Sequence, residues 1–316
     1  MQLIEQTLRL RSNDNFGTRL PPQYVGHLFV ELPKVIRQSV SMAVQNRSAT
    51  KGRSPAWLKR AADIRFIDHR DDDGICLRFE AARLGDAAPE LFEQQSLFPE
   101  LMPDADATGF DMFGDVLADI RADEKDSQHF DTTLLRSVGR FQKFFNKGPF
   151  TGIEFPNQQK AGRTIELTAD LVASAKSLCG MTPVPQRVRL VGELDGIEAS
   201  TQRFTLVLDT GDKVSGVFGD AQIDEMQRLW RQRVLVLGSA VYRPSGRLLR
   251  IEADEVHNGS GELSIFSRLP TSRHDPIDSS KLKQRQGPRS GMAAIAGAWP
   301  GDETDEEINA ALEQLS

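Results

Sequence analysis

Residues 186–256 carry the pattern that most constrains the fold of this chain. Five short apolar runs follow one another between turn signals, and one helical pattern separates the third run from the fourth. In the second run, Phe204, Leu206 and Leu208 alternate with smaller or polar residues, which is the period of a half-buried strand. The predicted strands cover residues 187–194, 203–208, 213–218, 233–242 and 247–256, and the predicted helix covers residues 221–230. The order of elements is therefore β-β-β-α-β-β.

The connections between these strands are short, which favours a closed β unit. Residues 209–212 (DTGD) predict a tight hairpin, and residues 244–246 (PSG) turn the fourth strand into the fifth. Gly192 and Gly238 lie within strands, where a small barrel needs sharp bends. A five-stranded barrel with a helix between its third and fourth strands is an OB-type barrel, and we predict one over residues 186–258. A small barrel of the SH3 kind is the alternative, for which the helix is less naturally placed.

Residues 1–183 predict an N-terminal mixed α/β domain, so the expected fold class is α+β. Its clearest local signal is a hairpin, in which two apolar runs flank the sequence DHRDDDG and Gly74 permits the turn. Pro183 and Pro185 mark the boundary with the barrel. In chain order, the predicted elements are a strand (3–10), a helix (23–44), two strands (63–67, 75–80), two helices (112–122, 131–145), two strands (150–155, 163–167) and a helix that begins at Thr168 or Asp170 and ends at Gly180.

Local features of this domain carry more specific expectations. Pro33 falls inside the first helical pattern, and we expect it to kink the helix or to mark a boundary near Leu32, because proline removes a backbone donor. Residues 47–60 are polar and basic and are expected to form an exposed connection, and residues 84–109 are expected to be loop. Asp131 is the predicted N-cap of the helix that it begins.

Composition and charge exclude several classes of protein. The formal net charge of -6 argues against a globally basic nucleic-acid binder, although it is compatible with a local basic patch. Cys76 and Cys179 form no CxxC pair, which excludes a disulfide-dense secreted domain. No apolar run approaches the roughly 20 residues of a membrane helix, and the first residues lack the pattern of a signal peptide. We therefore expect a cytoplasmic protein of bacterial style.

The sequence carries no local catalytic motif. Its one dense acidic cluster, residues 71–73 beside His69, could hold a divalent ion but is typical of a solvated hairpin tip. No two histidines stand at HxxxH or HxH spacing, and Cys179 has the surroundings of a packed structural thiol. We therefore predict a non-enzymatic protein without metal or cofactor. An enzyme whose site is assembled from distant residues of the N-terminal domain is an alternative.

The barrel raises the possibility of binding to single-stranded nucleic acid. OB-type barrels bind such strands through aromatic and basic residues on their second and third strands. Phe204 shares the phase of the apolar core residues, so this face offers cations but no exposed aromatic, which makes it a poor surface for base stacking. The candidate nucleic-acid contacts are Arg187, Arg189, Arg203 and Lys213. This function is the alternative to the one that the C-terminal residues indicate.

Residues 291–316 form a tail that has the strongest functional signal, and the basic, polar residues 267–290 are a predicted flexible linker before it. Thr304 and Glu307 form a capping box that starts a short helix. A helix of about twelve residues is marginal alone in water, so its apolar face needs a surface. The tail begins with a rigid turn (Trp299, Pro300, Gly301). Acidic residues that suit the positive end of the helix dipole follow it (Asp302, Glu303, Asp305, Glu306), and the helix then presents an apolar face (Ile308, Ala311, Leu312, Leu315).

Three interpretations of this tail compete. In the first, the helix packs back on its own barrel. In the second, it binds the groove of a partner protein, with Trp299 as the aromatic anchor. In the third, the acidic turn mimics phosphate in a basic active site.

Residues 298–307, AWPGDETDEE, followed by a leucine-containing helix, resemble the C-terminal segment of small bacterial antitoxin-like proteins encoded beside PIN-domain nucleases. The barrel strings RVRLVGELDGIEAS and FTLVLDTGDKVSG are similar to larger bacterial proteins found in toxin–antitoxin-like settings. The resemblance implies that the tail neutralises a partner ribonuclease. The chain departs from ordinary antitoxins, which are shorter and carry an N-terminal DNA-binding unit. The implied partner-binding residues are Trp299, Pro300, Gly301, Asp302, Glu303, Asp305, Glu306, Ile308, Leu312 and Leu315.

Overall fold

Two five-stranded sheets and their surrounding helices give the chain a mixed α+β fold. The structure is a computed structural model, and it describes residues 3–17, 19–49, 54–72, 74–92, 102–146, 148–156, 164–259 and 266–272. Residues 1–273 belong to one compact unit. Each sheet has an apolar core of its own within that unit.

The first sheet is antiparallel throughout and has the strand order β2-β3-β1-β4-β5. On its central strand, Leu8 and Leu10 are buried while Arg9 and Arg11 are exposed, as period-two alternation requires. The predicted hairpin is confirmed, and Gly74 has the positive φ of 113° that its turn needs. The strands are β1 (Leu3–Ser12), β2 (Ile64–Asp71), β3 (Ile75–Ala82), β4 (Phe150–Pro156) and β5 (Thr164–Thr168).

Helices pack on this sheet and on one another. The helix α1 contacts α4 and α5, and both of those contact α7. Within the described residues, no helix combines the length and the apolar character needed to cross a membrane. The helices are α1 (Pro22–Gln45), α2 (Ala56–Ala61), α3 (Leu84–Ala87), α4 (Gly109–Arg121), α5 (Thr132–Gly139), α6 (Gln142–Asn146), α7 (Ala169–Met181) and α8 (Ile223–Arg228).

The predicted helix boundary at Leu32 is wrong, because α1 continues through Pro33 to Gln45. A proline inside a helix costs about 3 kcal/mol through the lost hydrogen bond and ring crowding. The apolar stripe of α1 is buried on both sides of the proline, and each large side chain that is buried contributes about 1.5–3 kcal/mol. Burial of residues such as Leu28 and Ile36 therefore outweighs the cost of the proline.

The structure corrects three further expectations in this region. The described parts of the predicted connection, residues 47–49 and 54–60, are not exposed throughout, since Arg47 is 7% exposed and α2 buries Trp57 in the first core. The predicted helix over 131–145 is divided into α5 and α6 near Arg140. Part of the predicted loop 84–109 is helical, namely α3 and a short 3-10 turn at Pro89–Leu91. Asp131 is the N-cap of α5, as predicted.

The second sheet closes on itself in the order β10-β8-β7-β6-β9, with β9 paired to β10. Strands β8 and β10 are parallel, and the other neighbours are antiparallel. The alternating residues Phe204 and Leu206 lie in its core, as their spacing predicts. The predicted element order is present as β6 (Gln186–Glu198), β7 (Arg203–Val207), β8 (Lys213–Val217), α8, β9 (Arg233–Tyr242) and β10 (Leu248–Asn258).

Candidate functional site

The predicted partner-binding residues, from Trp299 to Leu315, lie outside the described residues. The same is true of residues 273–290, which make up most of the predicted linker. The geometry of the described residues therefore bears on the barrel and on the domain that precedes it.

The four predicted nucleic-acid contacts do not form one surface. Arg187 and Arg189 are exposed on β6, where Arg187 forms an ion pair with Asp254. Lys213 is exposed on β8, and its Nζ lies 3.5 Å from Oδ2 of Asp195. Lys213 pairs with Val207 of β7, which in turn pairs with Glu193 of β6. Glu193 is four residues from Arg189 on β6, a distance of about 13 Å in an extended strand. The arginines and the lysine are therefore separate positions on the barrel.

Arg203 is buried, so its predicted place on an open face of the barrel is wrong. The residue is 1% exposed although it has the outward phase of β7. Residues of α1 and α4 line the space that its side chain faces, including Met42 and Met112. Burial lowers the pKa of Arg203 to about 10, and the charge of Glu198 partly offsets this effect. Arg203 is therefore part of the junction between the barrel and the helices of the first sheet.

The loop between β6 and β7 is fastened to the end of α1. Arg47 donates hydrogen bonds to Oε1 of Gln202 and, over 3.3 Å, to the carbonyl oxygen of Phe218. Gln45 Nε2 also donates to Oε1 of Gln202, at 3.4 Å. Burial lowers the pKa of Arg47, against the opposing charges of Glu252 and Asp220. These contacts hold one end of the barrel against the N-terminal residues.

The loop between β9 and β10 is fastened in the same way to the segment after α4. Ser245 Oγ donates to Asp126 Oδ1 at 2.5 Å, and Arg247 Nη1 donates to Asp126 Oδ2 at 3.1 Å. Arg243 donates to the carbonyl oxygen of Asp126 at 2.5 Å, and the backbone N–H of Ser245 donates to Lys125 at 3.2 Å. Both barrel loops that flank Arg203 are therefore occupied by contacts within the chain.

A buried ion pair lies at the centre of this junction. Arg250 Nη2 on β10 is 3.0 Å from Oδ2 of Asp131, and both side chains are 4% exposed. Asp131 also accepts hydrogen bonds from Ser48 Oγ at 2.5 Å and from the backbone N–H groups of Thr133 and Leu134, each at 3.1 Å. Burial opposes ionisation, but the Arg250 charge and the hydrogen bonds outweigh it and lower the pKa of Asp131. One carboxylate thus joins α1, α5 and the barrel.

The lowered pKa of Asp131 predicts an acid-dependent loss of stability. Its ordinary value is 3.8, so the stabilisation is complete above this pH and is lost as the pH falls through the lower folded-state pKa. We expect the free energy of unfolding to fall more steeply below about pH 5 in the native chain than in Asp131→Asn. Urea unfolding of both chains at a series of pH values measures the difference. Equal pH slopes in the two chains would contradict this prediction.

A cavity of about 210 Å³ lies beside Arg203 at the same junction. Asp115 of α4 and Asn46 at the end of α1 line it, as does His129 near its edge. His129 Nδ1 is 2.7 Å from Asp119 Oδ2, which also accepts a 2.6 Å hydrogen bond from Ser127 Oγ. A carboxylate that accepts from Nδ1 fixes the tautomer and the orientation of a histidine ring. Within the described ranges, no three acidic, histidine or cysteine side chains are grouped so as to hold a metal.

Trp230 is an exposed aromatic residue that the sequence pattern placed in the helix over 221–230, whereas the structure places it after the end of α8. Its position fits the inner face of a helix over 221–230, but α8 ends at Arg228. The chain then leaves the helix, so that Leu229 is 6% exposed while Trp230 is 52% exposed. The guanidinium of Arg231 lies over the indole ring, 4.9 Å from its centroid. The arginines on either side of Trp230 were the sequence signal that its side chain is exposed.

The barrel and the N-terminal helices thus share a polar and ionic junction, and the exposed Trp230 lies at the turn between α8 and β9. The chain matches no protein family, no curated protein sequence and no solved structure.

Proposed function

We propose that this chain is an antitoxin-like protein that binds and restrains a partner protein, a PIN-type ribonuclease, through residues 291–316. The observation that carries the proposal is the pairing of strong helix-start signals with an apolar face that is too short to be stable alone. The proposal places the complex in the bacterial cytoplasm, in a toxin–antitoxin or defence module. It keeps the four predicted regions of the chain, which are the N-terminal domain (1–183), the barrel (186–258), the linker (267–290) and the tail (291–316).

The chemistry of the tail assigns different roles to its residues. Trp299, Ile308 and Leu312 supply apolar area for a groove on the partner, because large buried side chains dominate binding energy. The acidic residues 302–307 start the helix and steer it towards cations. A ribonuclease that binds RNA through a basic rim offers such cations. The carboxylates that hold its metal ions would repel the tail, so contact is with the rim.

We propose that the barrel is of the OB type. The closed order of its strands and the position of α8 between the third and fourth of them support this assignment. OB-type barrels use their second and third strands and the loops after their first and fourth strands to bind nucleic acid. Here Arg203 of the second strand is buried and both loops are bound to the N-terminal residues. These contacts favour a barrel that supports the rest of the chain over a barrel that binds single-stranded nucleic acid at that surface, which was the alternative function.

Substitution of the tail's anchors tests the proposed function. The double variant Trp299→Ala, Leu312→Ala in the full chain is expected to weaken binding to the partner about 100-fold or more, since hot-spot truncations each cost about 2–4 kcal/mol. Isothermal titration of the chain with the product of the adjacent gene gives the affinity, and an RNA-cleavage assay gives the restraint. The matched control is Glu313→Ala, on the opposite side of the same predicted helix.

The proposal places the tail on the partner, so the thermal unfolding midpoint of every variant should equal that of the native chain. If the double variant binds the partner and inhibits RNA cleavage as well as the native chain does, the tail is not the binding element.

A further inference from the structure

The turn after α8 holds Trp230 in a fixed position on the barrel. The backbone N–H of Arg231 donates to the carbonyl oxygen of Leu194 at 3.0 Å, and Leu194 in turn donates to Gln232 at 3.0 Å. Gln232 Nε2 donates to the carbonyl oxygen of Arg228 at 2.9 Å. The indole is therefore presented to solvent by a turn that is hydrogen-bonded on both sides to β6 and α8. An aromatic side chain held in this way loses little conformational freedom when it binds a ligand.

Two arginines lie close to the exposed Trp230 in the sequence, one on each side of it. The guanidinium of Arg231 lies over the ring. Arg228 is two residues before Trp230 in the sequence, and its side chain is 76% exposed. Arg228 is 3.6 Å from Glu225, but an exposed ion pair of this kind is weak and yields readily to a phosphate. Arg233 is already engaged by Asp209 through two hydrogen bonds. The cations available to a ligand are thus Arg228 and Arg231.

We infer that the turn formed by Arg228, Trp230 and Arg231 is a binding site for single-stranded nucleic acid. A base stacks on the exposed indole, and the neighbouring phosphates contact the two guanidinium groups. Every base has a π-face, so stacking of this kind tolerates any sequence, and the cations make the binding dependent on salt. The site differs from the strand face that carries Arg203, and none of its residues belongs to the tail.

The left-handed backbone at residue 231 makes a clean variant possible. Arg231 has a φ of 57°, a region that glycine adopts more readily than other residues. Arg231→Gly therefore removes the guanidinium while the turn and its hydrogen bonds are kept. Trp230→Ala removes the stacking surface, and Trp230→Tyr retains an aromatic ring. Arg70→Gln is the matched control, because Arg70 on β2 is also an exposed arginine, with an acidic partner, Asp68, at 3.6 Å.

Fluorescence anisotropy of labelled oligothymidylate and oligouridylate, about twelve nucleotides long, measures binding to the full chain at salt concentrations from about 50 to 200 mM. We expect Trp230→Ala to weaken binding about tenfold or more, and Trp230→Tyr to restore most of the loss. Arg231→Gly should weaken binding and lower the slope of log affinity against log salt by about one. Arg70→Gln should bind as the native chain does. Comparison of the two oligonucleotides assigns the natural ligand as DNA or RNA.

Two results would overturn the inference. One is undetectable binding of both oligonucleotides at about 50 mM salt. The other is binding that Trp230→Ala leaves unchanged, or that Arg70→Gln weakens as much as Arg231→Gly does, because either outcome means diffuse charge attraction without a stacking site. The tail variants Trp299→Ala and Leu312→Ala leave this site intact, so failure here does not bear on the proposed partner binding.

Discussion

Replacement of Arg250 by methionine is expected to lower the free energy of unfolding by about 3–5 kcal/mol. The variant leaves the carboxylate of Asp131 buried without its opposite charge, while the methionine fills much of the vacated volume. Asp131 keeps its hydrogen bonds from Ser48 and from the first turn of α5, but these do not replace the lost Coulomb attraction. Urea unfolding followed by circular dichroism gives the free energy directly.

Arg247→Met is the matched control for this prediction. Arg247 also bridges the barrel and the N-terminal residues, at 3.1 Å from Asp126, but its side chain is 76% exposed. Exposed pairs contribute little, so the control should unfold close to the native chain. The double variant Asp131→Asn, Arg250→Met should lose less stability than the sum of its single variants, because the two residues interact. Additive losses would contradict the role given to this pair.

Replacement of Gly238 by alanine is expected to lower the free energy of unfolding by about 3 kcal/mol, the upper part of the range for overpacked sites. A Cβ at this position of β9 would lie 2.1 Å from the carbonyl oxygen of Glu252 on the paired strand β10. The obstacle is backbone within a paired ladder, so relief requires the two strands to separate and the barrel to open. Thermal and urea unfolding of the variant measure the loss.

Gly180→Ala provides the contrast. A Cβ at Gly180 meets nothing within 4 Å, and the residue lies in the last turn of α7. Alanine in a helix is favoured over glycine by about 0.5–1 kcal/mol, so this variant should be more stable than the native chain. If Gly238→Ala were as stable as Gly180→Ala, this result would contradict the close approach of β9 and β10 at Gly238.

Local signals predicted much of the fold because the residues that decide it are neighbours in sequence. The alternation of Phe204 and Leu206 gave β7, Gly74 gave the hairpin turn, and Asp131 gave the N-cap of α5. Pro33 was misjudged because local propensity is weaker than burial of the apolar stripe on both sides of it. The second role of Asp131, as the partner of Arg250, has no local signal.

Arg203 and Arg47 were misplaced for one physical reason, and Trp230 for another. Alternation places Arg203 outward from the barrel, but docking of α1 and α4 then buries it. Arg47 looked like a solvated linker residue and instead holds the loop at Gln202. Trp230 fits helical spacing and is exposed only because α8 ends early. Burial at a junction depends on residues far apart in sequence, which periodicity cannot report.

Hydrogen exchange of the full chain with and without the product of the adjacent gene tests the central claim most directly. The proposed function predicts that the partner slows exchange at backbone amides of residues 291–316, because a marginal helix is stabilised in a groove. Amides of the two sheets should exchange at the same rate in both states. Unchanged exchange in residues 291–316, together with new protection on the strands of the barrel, would contradict a tail that restrains the partner.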